Sequence, residues 1–153
     1  MTTDGRPLFC TRVRLTGEGE IVVGGPTVAP SAGPELHTGD LGAWTEDGRL
    51  AVTGRLADTI VTGGENVAPA EVEAVLEAHA AVAEAAVHGR PDPEWGEAVV
   101  ASVVLRPGAA ASEADLLAHA RANLAPFKVP KALSLVASLP RTPSGKLLRR
   151  KLV

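Results

Sequence analysis

The chain has 153 residues and a formal net charge of −3, from 15 Lys+Arg against 18 Asp+Glu. Apolar residues at 45% and charged residues at 22% exclude a disordered chain, while 3% aromatics and no Tyr make the core aliphatic and exclude a broad aromatic platform for single-stranded nucleic acid. The single Cys10 excludes an internal disulfide and a cysteine-based zinc site, no apolar run reaches the roughly 18–20 residues of a membrane span, and Met1 to Arg6 holds no hydrophobic signal segment, so a cytoplasmic setting is expected.

The first third reads as short strands. Val13-Arg14-Leu15 and Glu20-Ile21-Val22-Val23 flank the hairpin signal Thr16-Gly17-Glu18-Gly19. Pro26 to Pro34 holds three prolines and Gly33 and reads as a loop. Leu41 to Trp44 and Arg49 to Val52 form a second pair around Glu46-Asp47-Gly48, which predicts a small barrel-like or meandering β-subdomain.

After Arg55 to Asp58 the pattern changes. Pro69 suits the first position of a helix, Glu71 and Glu73 suit its first turn, and Val72, Val75, Leu76 and His79 share one face. Ala85 to Gly89 and Ala98 to Leu105 read as buried strands. Ser112 with Asp115 forms a capping-box pattern ahead of the stripe Leu116, Leu117, Ala120 and Leu124, which Pro126 stops. Leu133 to Val136 reads as a strand, and Ser144 to Leu152 as a final basic helix. The expected fold class is therefore α+β: a strand-rich, barrel-like subdomain, then a compact α+β domain with helices packed on a small sheet.

Charge is split along the chain. From Arg121 to Val153 there is no acidic residue and the charge is +8, leaving −11 on the remainder. A basic end on an acidic body suits an anionic ligand such as a nucleotide, phosphate or nucleic acid, and suits equally a solvated terminal helix.

Three glycine-containing segments are chemical candidates. In Thr38-Gly39-Asp40, a carboxylate beside a glycine can accept hydrogen bonds from a ribose diol, although an ordinary turn explains it as well. Gly63-Gly64-Glu65-Asn66-Val67 permits close backbone approach to a ligand just ahead of a helix, or is a plain connecting loop. Pro140-Arg141-Thr142-Pro143-Ser144-Gly145-Lys146 ends like a phosphate loop. Pro140 stands at its first glycine position, however, and Leu147 at its Ser/Thr, which leaves Lys146 as a lysine able to reach a phosphate or carboxylate, or one that is simply solvated. His37, His79, His88 and His119 lack metal-ligand spacing, no metal site is expected, and no complete catalytic constellation is present.

Read in order, Leu36 to Gly42, Gly54-Arg55-Leu56-Ala57-Asp58, Gly63 to Val67, Pro69 to Glu73 and Pro140 to Lys146 resemble the motifs of the adenylate-forming enzymes, the superfamily of acyl-CoA synthetases, luciferases and peptide-synthetase adenylation domains. Gly5 to Phe9 and Gly63 to Asn66 look most like its o-succinylbenzoate–CoA ligase branch of menaquinone synthesis. The resemblance implies residues 1–56 as the terminal β-subdomain of the large adenylation domain and 57–153 as a mobile C-terminal lid, with Ala57 at the hinge. It implies an acid–thiol ligase that uses ATP/AMP and CoA, with Mg2+ accompanying ATP in the large N-terminal domain. This stretch would be inactive without that domain, which holds the phosphate loop and acyl pocket. Neither nucleic acid nor membrane is an implied partner.

By the same resemblance Asp40 and Arg55 bind the nucleotide, and Lys146 serves adenylation. Gly63, Gly64, Glu65 and Asn66 line the pantetheine channel, while Trp95, Phe127 and Lys131 contact the CoA nucleotide. Core packing is the competing reading for Trp95 and Phe127. Where some relatives carry Arg, this chain has Val129. The competing functional class is a stand-alone, non-catalytic binding or regulatory module that kept the lid fold.

Overall fold

The computed structural model describes residues 2–3 and 5–152, the first pair as backbone only. Most of the stretch from Met1 to Arg6, read above for a signal segment, therefore lies outside the described side chains. Contacts divide the chain into two compact units, Met1–Ala57 and Asp58–Val153.

Among the described residues the first unit is made of strands joined by turns and one longer loop. β1 (Thr2–Thr3) and β2 (Arg6–Pro7) form a small antiparallel pair. β3 (Arg12–Leu15), β4 (Glu20–Gly24), β5 (Glu35–Trp44) and β6 (Leu50–Arg55) follow as a four-stranded antiparallel meander. Its apolar centre is the Ile21-Val22-Val23 run of β4, each residue 5% exposed or less. The loop from Pro26 to Pro34 holds one 3-10 turn, Pro30–Ala32.

The second unit opens with β7 (Ile60–Thr62) and β8 (Glu65–Val67), a hairpin absent from the expected element order. Gly63 and Gly64 form its two-residue turn with φ of +59° and +84°, the left-handed pair that primed hairpin turns demand. α1 (Pro69–Glu77) starts with Pro69 in its first turn and buries Pro69, Val72 and Leu76. β9 (Val82–Asp92) and β10 (Gly96–Leu105) pair antiparallel along nearly their whole length. α2 (Glu113–Asn123) carries the capping box: Ser112 Oγ accepts from Asp115 N–H, and Asp115 accepts from Ser112 N–H. The helix crosses over so that β11 (Ala132–Leu135) lies parallel to β10. Val72, Leu76, Leu116 and Ala120 of the helices and Val87, Val99, Ala101, Val103 and Leu133 of the sheet share one aliphatic core. No helix among the described residues is long and apolar enough to cross a membrane.

The expected basic helix over Ser144 to Leu152 does not form. Arg141 bridges Leu147 in antiparallel fashion, Gly145 has φ of +85°, and only Arg149–Lys151 closes a 3-10 turn. The turn chemistry of Thr142-Pro143-Ser144-Gly145 overrides the basic run, because a left-handed residue breaks the helical hydrogen-bond ladder.

Leu76 is fully buried between α1 and the sheet. Leu76→Ala is expected to cost about 2–5 kcal/mol, the range for buried Leu truncations. In urea unfolding the midpoint should fall with an unchanged slope.

Candidate functional site

In the first unit, an irregularity of register against β4 spans the Thr38-Gly39-Asp40 corner of β5, and a second, against β6, follows it between Leu41 and Gly42. Thr38 Oγ1 donates to Ile21 O at 2.8 Å and accepts from Asp40 N–H at 3.1 Å. Gly39, at φ +70°, donates its N–H to Glu20 Oε1 at 3.0 Å. Glu20 also meets His37 Nδ1 at 2.8 Å, and these two contacts, His37 foremost, hold its carboxyl below the ordinary range. The corner turns Asp40 toward its register partner Arg55 on β6, and the two form an ion pair of 2.8 Å. The sequence pair Asp40 and Arg55 is thus one cluster, with about a third of the Asp40 side chain open to solvent.

In the second unit two hairpin turns meet. Asp92 Oδ1 accepts from the N–H groups of Glu94 and Trp95 at 2.9 and 3.0 Å, the Asx-turn device that shapes the β9–β10 connection. Trp95 O then accepts from Gly63 N–H at 2.8 Å, and Gly96 pairs with Thr62. A Cβ on Gly63 would lie 3.0 Å from the indole, so glycine is needed there for close approach as well as for its φ. Lys131 Nζ lies 4.4 Å from the centroid of the Trp95 ring, a cation–π contact on a side chain 39% exposed. Gly63, Trp95 and Lys131 are therefore adjacent. Glu65 and Asn66 are exposed on β8, next along the same hairpin.

Phe127 does not join them. It packs against the aliphatic core, with Lys128 Nζ 5.6 Å from its ring. Beside Lys131 runs an open cleft of about 440 Å³, lined also by Arg121, Leu124, Pro126, Val129 and Pro130. Nothing in the sequence marks Arg121 out from the rest of the basic segment.

Lys146 is exposed, and its Nζ has no hydrogen bond or ion pair among the described residues. Its backbone is held firmly: Thr142 N–H donates to Lys146 O at 2.8 Å, Lys146 N–H donates to Thr142 Oγ1 at 3.0 Å, and Arg141 Nη1 donates to Gly145 O at 2.8 Å. Three other cations of the basic segment are neutralised within the unit. Lys128 pairs with Glu71 at 2.6 Å, Arg141 with Glu84 at 2.6 Å, and Arg149 with Glu73 and Asp58. Reading charge along the sequence misses this pairing, because the acidic partners lie 57 to 91 residues away. His79 and His119 stack edge to face at 5.2 Å between the helices, and His119 Nε2 meets Val75 O. His88 is held below the usual imidazole range, by burial first and then by Arg90 and Arg149. The described residues offer no group of three or more His, Cys, Asp or Glu that could hold a metal ion.

Comparison with known proteins shows the family. Residues 71–146 match the AMP-binding enzyme C-terminal domain. A 3-[(3aS,4S,7aS)-7a-methyl-1,5-dioxo-octahydro-1H-inden-4-yl]propanoyl:CoA ligase of Mycobacterium tuberculosis is 42% identical over 99% of this chain and 32% of its own length. A 2-succinylbenzoate–CoA ligase of Bacillus cereus is 43% identical over 97% of this chain and 35% of its own. The solved o-succinylbenzoate CoA synthetase of Bacillus subtilis, in complex with its acyl-adenylate intermediate, superposes with a TM-score of 0.84 at 38% identity, covering 96% of this chain and 34% of that one. The chain spans about a third of the length of the curated relatives it matches. It belongs to the adenylate-forming, AMP-binding enzymes, of which it carries the C-terminal domain.

Proposed function

We propose that this chain is the C-terminal part of an ATP-dependent acid–CoA ligase. A carboxylate oxygen attacks the α-phosphorus of ATP, the α–β bridging P–O bond breaks, and pyrophosphate leaves. The CoA sulfur then attacks the acyl carbon, the C–O bond to AMP breaks, and the thiol proton passes to solvent. One observation carries this reading. Two groups of different chemistry are fastened toward opposite ends of β9: the Lys146 hairpin through Arg141 to Glu84 near its start, and the Gly63–Trp95–Lys131 cluster just past Asp92 at its end. Eight strand residues separate Glu84 from Asp92, roughly 26 Å at ~3.3 Å each. Such a spacing favours use of the two groups one at a time over use together. Use in turn, through rotation of the second unit about a hinge at Ala57, suits a two-step reaction.

In this reading Asp40 accepts hydrogen bonds from the ribose hydroxyls, with Arg55 steadying its carboxylate. Lys146 lies between the attacking carboxylate and the α-phosphate, where its free charge opposes the negative charge that builds up. Gly63, Gly64, Glu65 and Asn66 guide the pantetheine arm. Trp95 and Lys131 offer a ring face and a cation to the CoA nucleotide, and Phe127 supports that side from the core. For the acid we propose o-succinylbenzoate, and hence a place in menaquinone synthesis. The Bacillus relatives and the resemblance of Gly5 to Phe9 and Gly63 to Asn66 support it.

The test uses a chimera in which this chain replaces the matching part of the Bacillus cereus ligase. With o-succinylbenzoate the chimera should turn over at an ordinary ~1–10³ s⁻¹. Lys146→Ala should cut acyl-AMP formation, read as pyrophosphate release, by roughly 10²–10³-fold, the scale of losing one preorganised electrostatic donor. Conversion of supplied acyl-AMP and CoA to thioester should change little. Equal loss in both half-reactions, or a normal adenylation rate, would reject this role for Lys146.

Trp95→Ala in the same chimera should act on the other step. Stacking of a base on an aromatic ring contributes about 1–3 kcal/mol, so KM for CoA should rise roughly 5–150-fold while pyrophosphate release keeps its rate. An unchanged KM for CoA would assign Trp95 to packing alone.

A further inference from the structure

The hairpin that carries Lys146 is well bonded internally and weakly seated externally. Leu148 N–H donates to Pro140 O at 2.9 Å, Gly145 N–H donates to Thr142 O at 2.8 Å, and Arg141 bridges Leu147. At its tip, however, Pro143, Ser144, Gly145 and Lys146 are all exposed. Beyond the half-buried Leu147 and Leu148, two guanidinium groups fasten the hairpin to the unit. The Arg141–Glu84 pair is nearly half exposed on both sides, a class of ion pair that contributes little.

The Arg149 anchor is of another kind. Arg149 donates to both carboxylate oxygens of Glu73 through Nη1 and Nη2, to Val87 O from Nη1 at 2.7 Å, and its Nε lies 3.5 Å from Asp58. Its side chain is 26% exposed and that of Glu73 is 14% exposed. This one side chain therefore spans α1, β9 and the residue at which the second unit begins. It lies three residues after Lys146, at the start of the closing 3-10 turn.

We infer that Arg149 is a positioning residue for Lys146, acting by locking the Lys146 hairpin to α1, to β9 and to the chain entry at Asp58. The inference rests on the proposed role of Lys146 in adenylation. A planar, bidentate fork fixes orientation where a lysine point charge would not, so Arg149→Lys retains the charge and removes the geometry. Misplacement of a catalytic group by about 1 Å is enough to cost roughly 10²-fold in rate.

Two measurements test it. In the 153-residue chain, Arg149→Lys and Arg149→Gln should speed amide hydrogen exchange at Gly145, Lys146 and Leu148 by roughly tenfold or more, while Val99, Ala101 and Val103 of β10 keep their rates. Uniform acceleration across the unit would make Arg149 a general stabiliser and overturn the proposal, as would no change. In the chimera, Arg149→Lys should lower kcat for acyl-AMP formation by roughly 10–10²-fold at unchanged KM for ATP and acid, and spare the thioester step. The Lys146→Ala/Arg149→Lys double variant should be no slower than Lys146→Ala alone. Normal adenylation by Arg149→Lys, or a further loss in the double variant, would overturn the proposal. Failure of the underlying reading shows separately, as normal adenylation by Lys146→Ala itself.

Discussion

Val87 sits on the outer edge of β9, where neither its N–H nor its C=O meets a neighbouring strand among the described residues. Glu73 accepts from the N–H at 2.8 Å and Arg149 donates to the C=O at 2.7 Å, and the two side chains bond each other. An ion pair thus takes the place of the missing strand, and Glu77 extends the arrangement by accepting from Ala85 N–H at 3.1 Å. Open strand edges invite pairing with other chains, and charged side chains laid along the edge prevent it. The same contacts fasten α1 to the sheet by its polar flank, while Val72 and Leu76 fasten it by the apolar one. Charge-assisted bonds to a mostly buried carboxylate are among the stronger hydrogen bonds in proteins, about 1.5–3 kcal/mol each. The hydrogen bond from Arg149 to Glu73 also raises the arginine's already high pKa, so the charge persists at every working pH.

This edge lock changes the meaning of the basic tail. The excess of +8 after Arg121 looks like a single anion-seeking surface when charge is counted along the chain. In the folded unit Lys128, Arg141 and Arg149 answer Glu71, Glu84, Glu73 and Asp58, so part of that charge belongs to the architecture. Two of the remaining cations are distinguished by their settings. Lys131 lies over an indole at the rim of a cleft it shares with Arg121, and Lys146 projects from a hairpin tip.

What was legible in the sequence was whatever depends on neighbours a few residues apart. Pro69 and the Ser112–Asp115 box mark the helix starts, the spacing of Val72 and Leu76 marks a buried face, and Thr16 to Gly19 marks a hairpin. The order of five short motifs was enough to identify the superfamily. Positions that depend on distant pairing were hidden. Gly63 meets Trp95 because Thr62 pairs with Gly96, a register that no local pattern encodes. Glu73 and Arg149 are 76 residues apart, and only the path of α1 along the β9 edge brings them together. The terminal helix failed for a local reason that was present in the sequence: turn residues around Gly145 outweigh the run of basic side chains that follows.

In the proposed reading Arg149 and Lys146, two neighbouring cations, divide structural and chemical work. A cation already bonded to a carboxylate presents a dipole to its surroundings, whose field falls off faster than that of a single charge. Arg149 is more than neutralised, with two acidic partners and a backbone carbonyl. Lys146 retains an uncompensated charge and a mobile four-carbon stem on a backbone that is fixed. A group that must respond to charge developing on a substrate needs a free headgroup, because a prior carboxylate partner would have to be displaced first. It also needs a fixed base, because a mobile base would spend binding energy on ordering the chain. On that reading the segment provides both within four residues, with the paired arginine supplying the fixity and the unpaired lysine supplying the field.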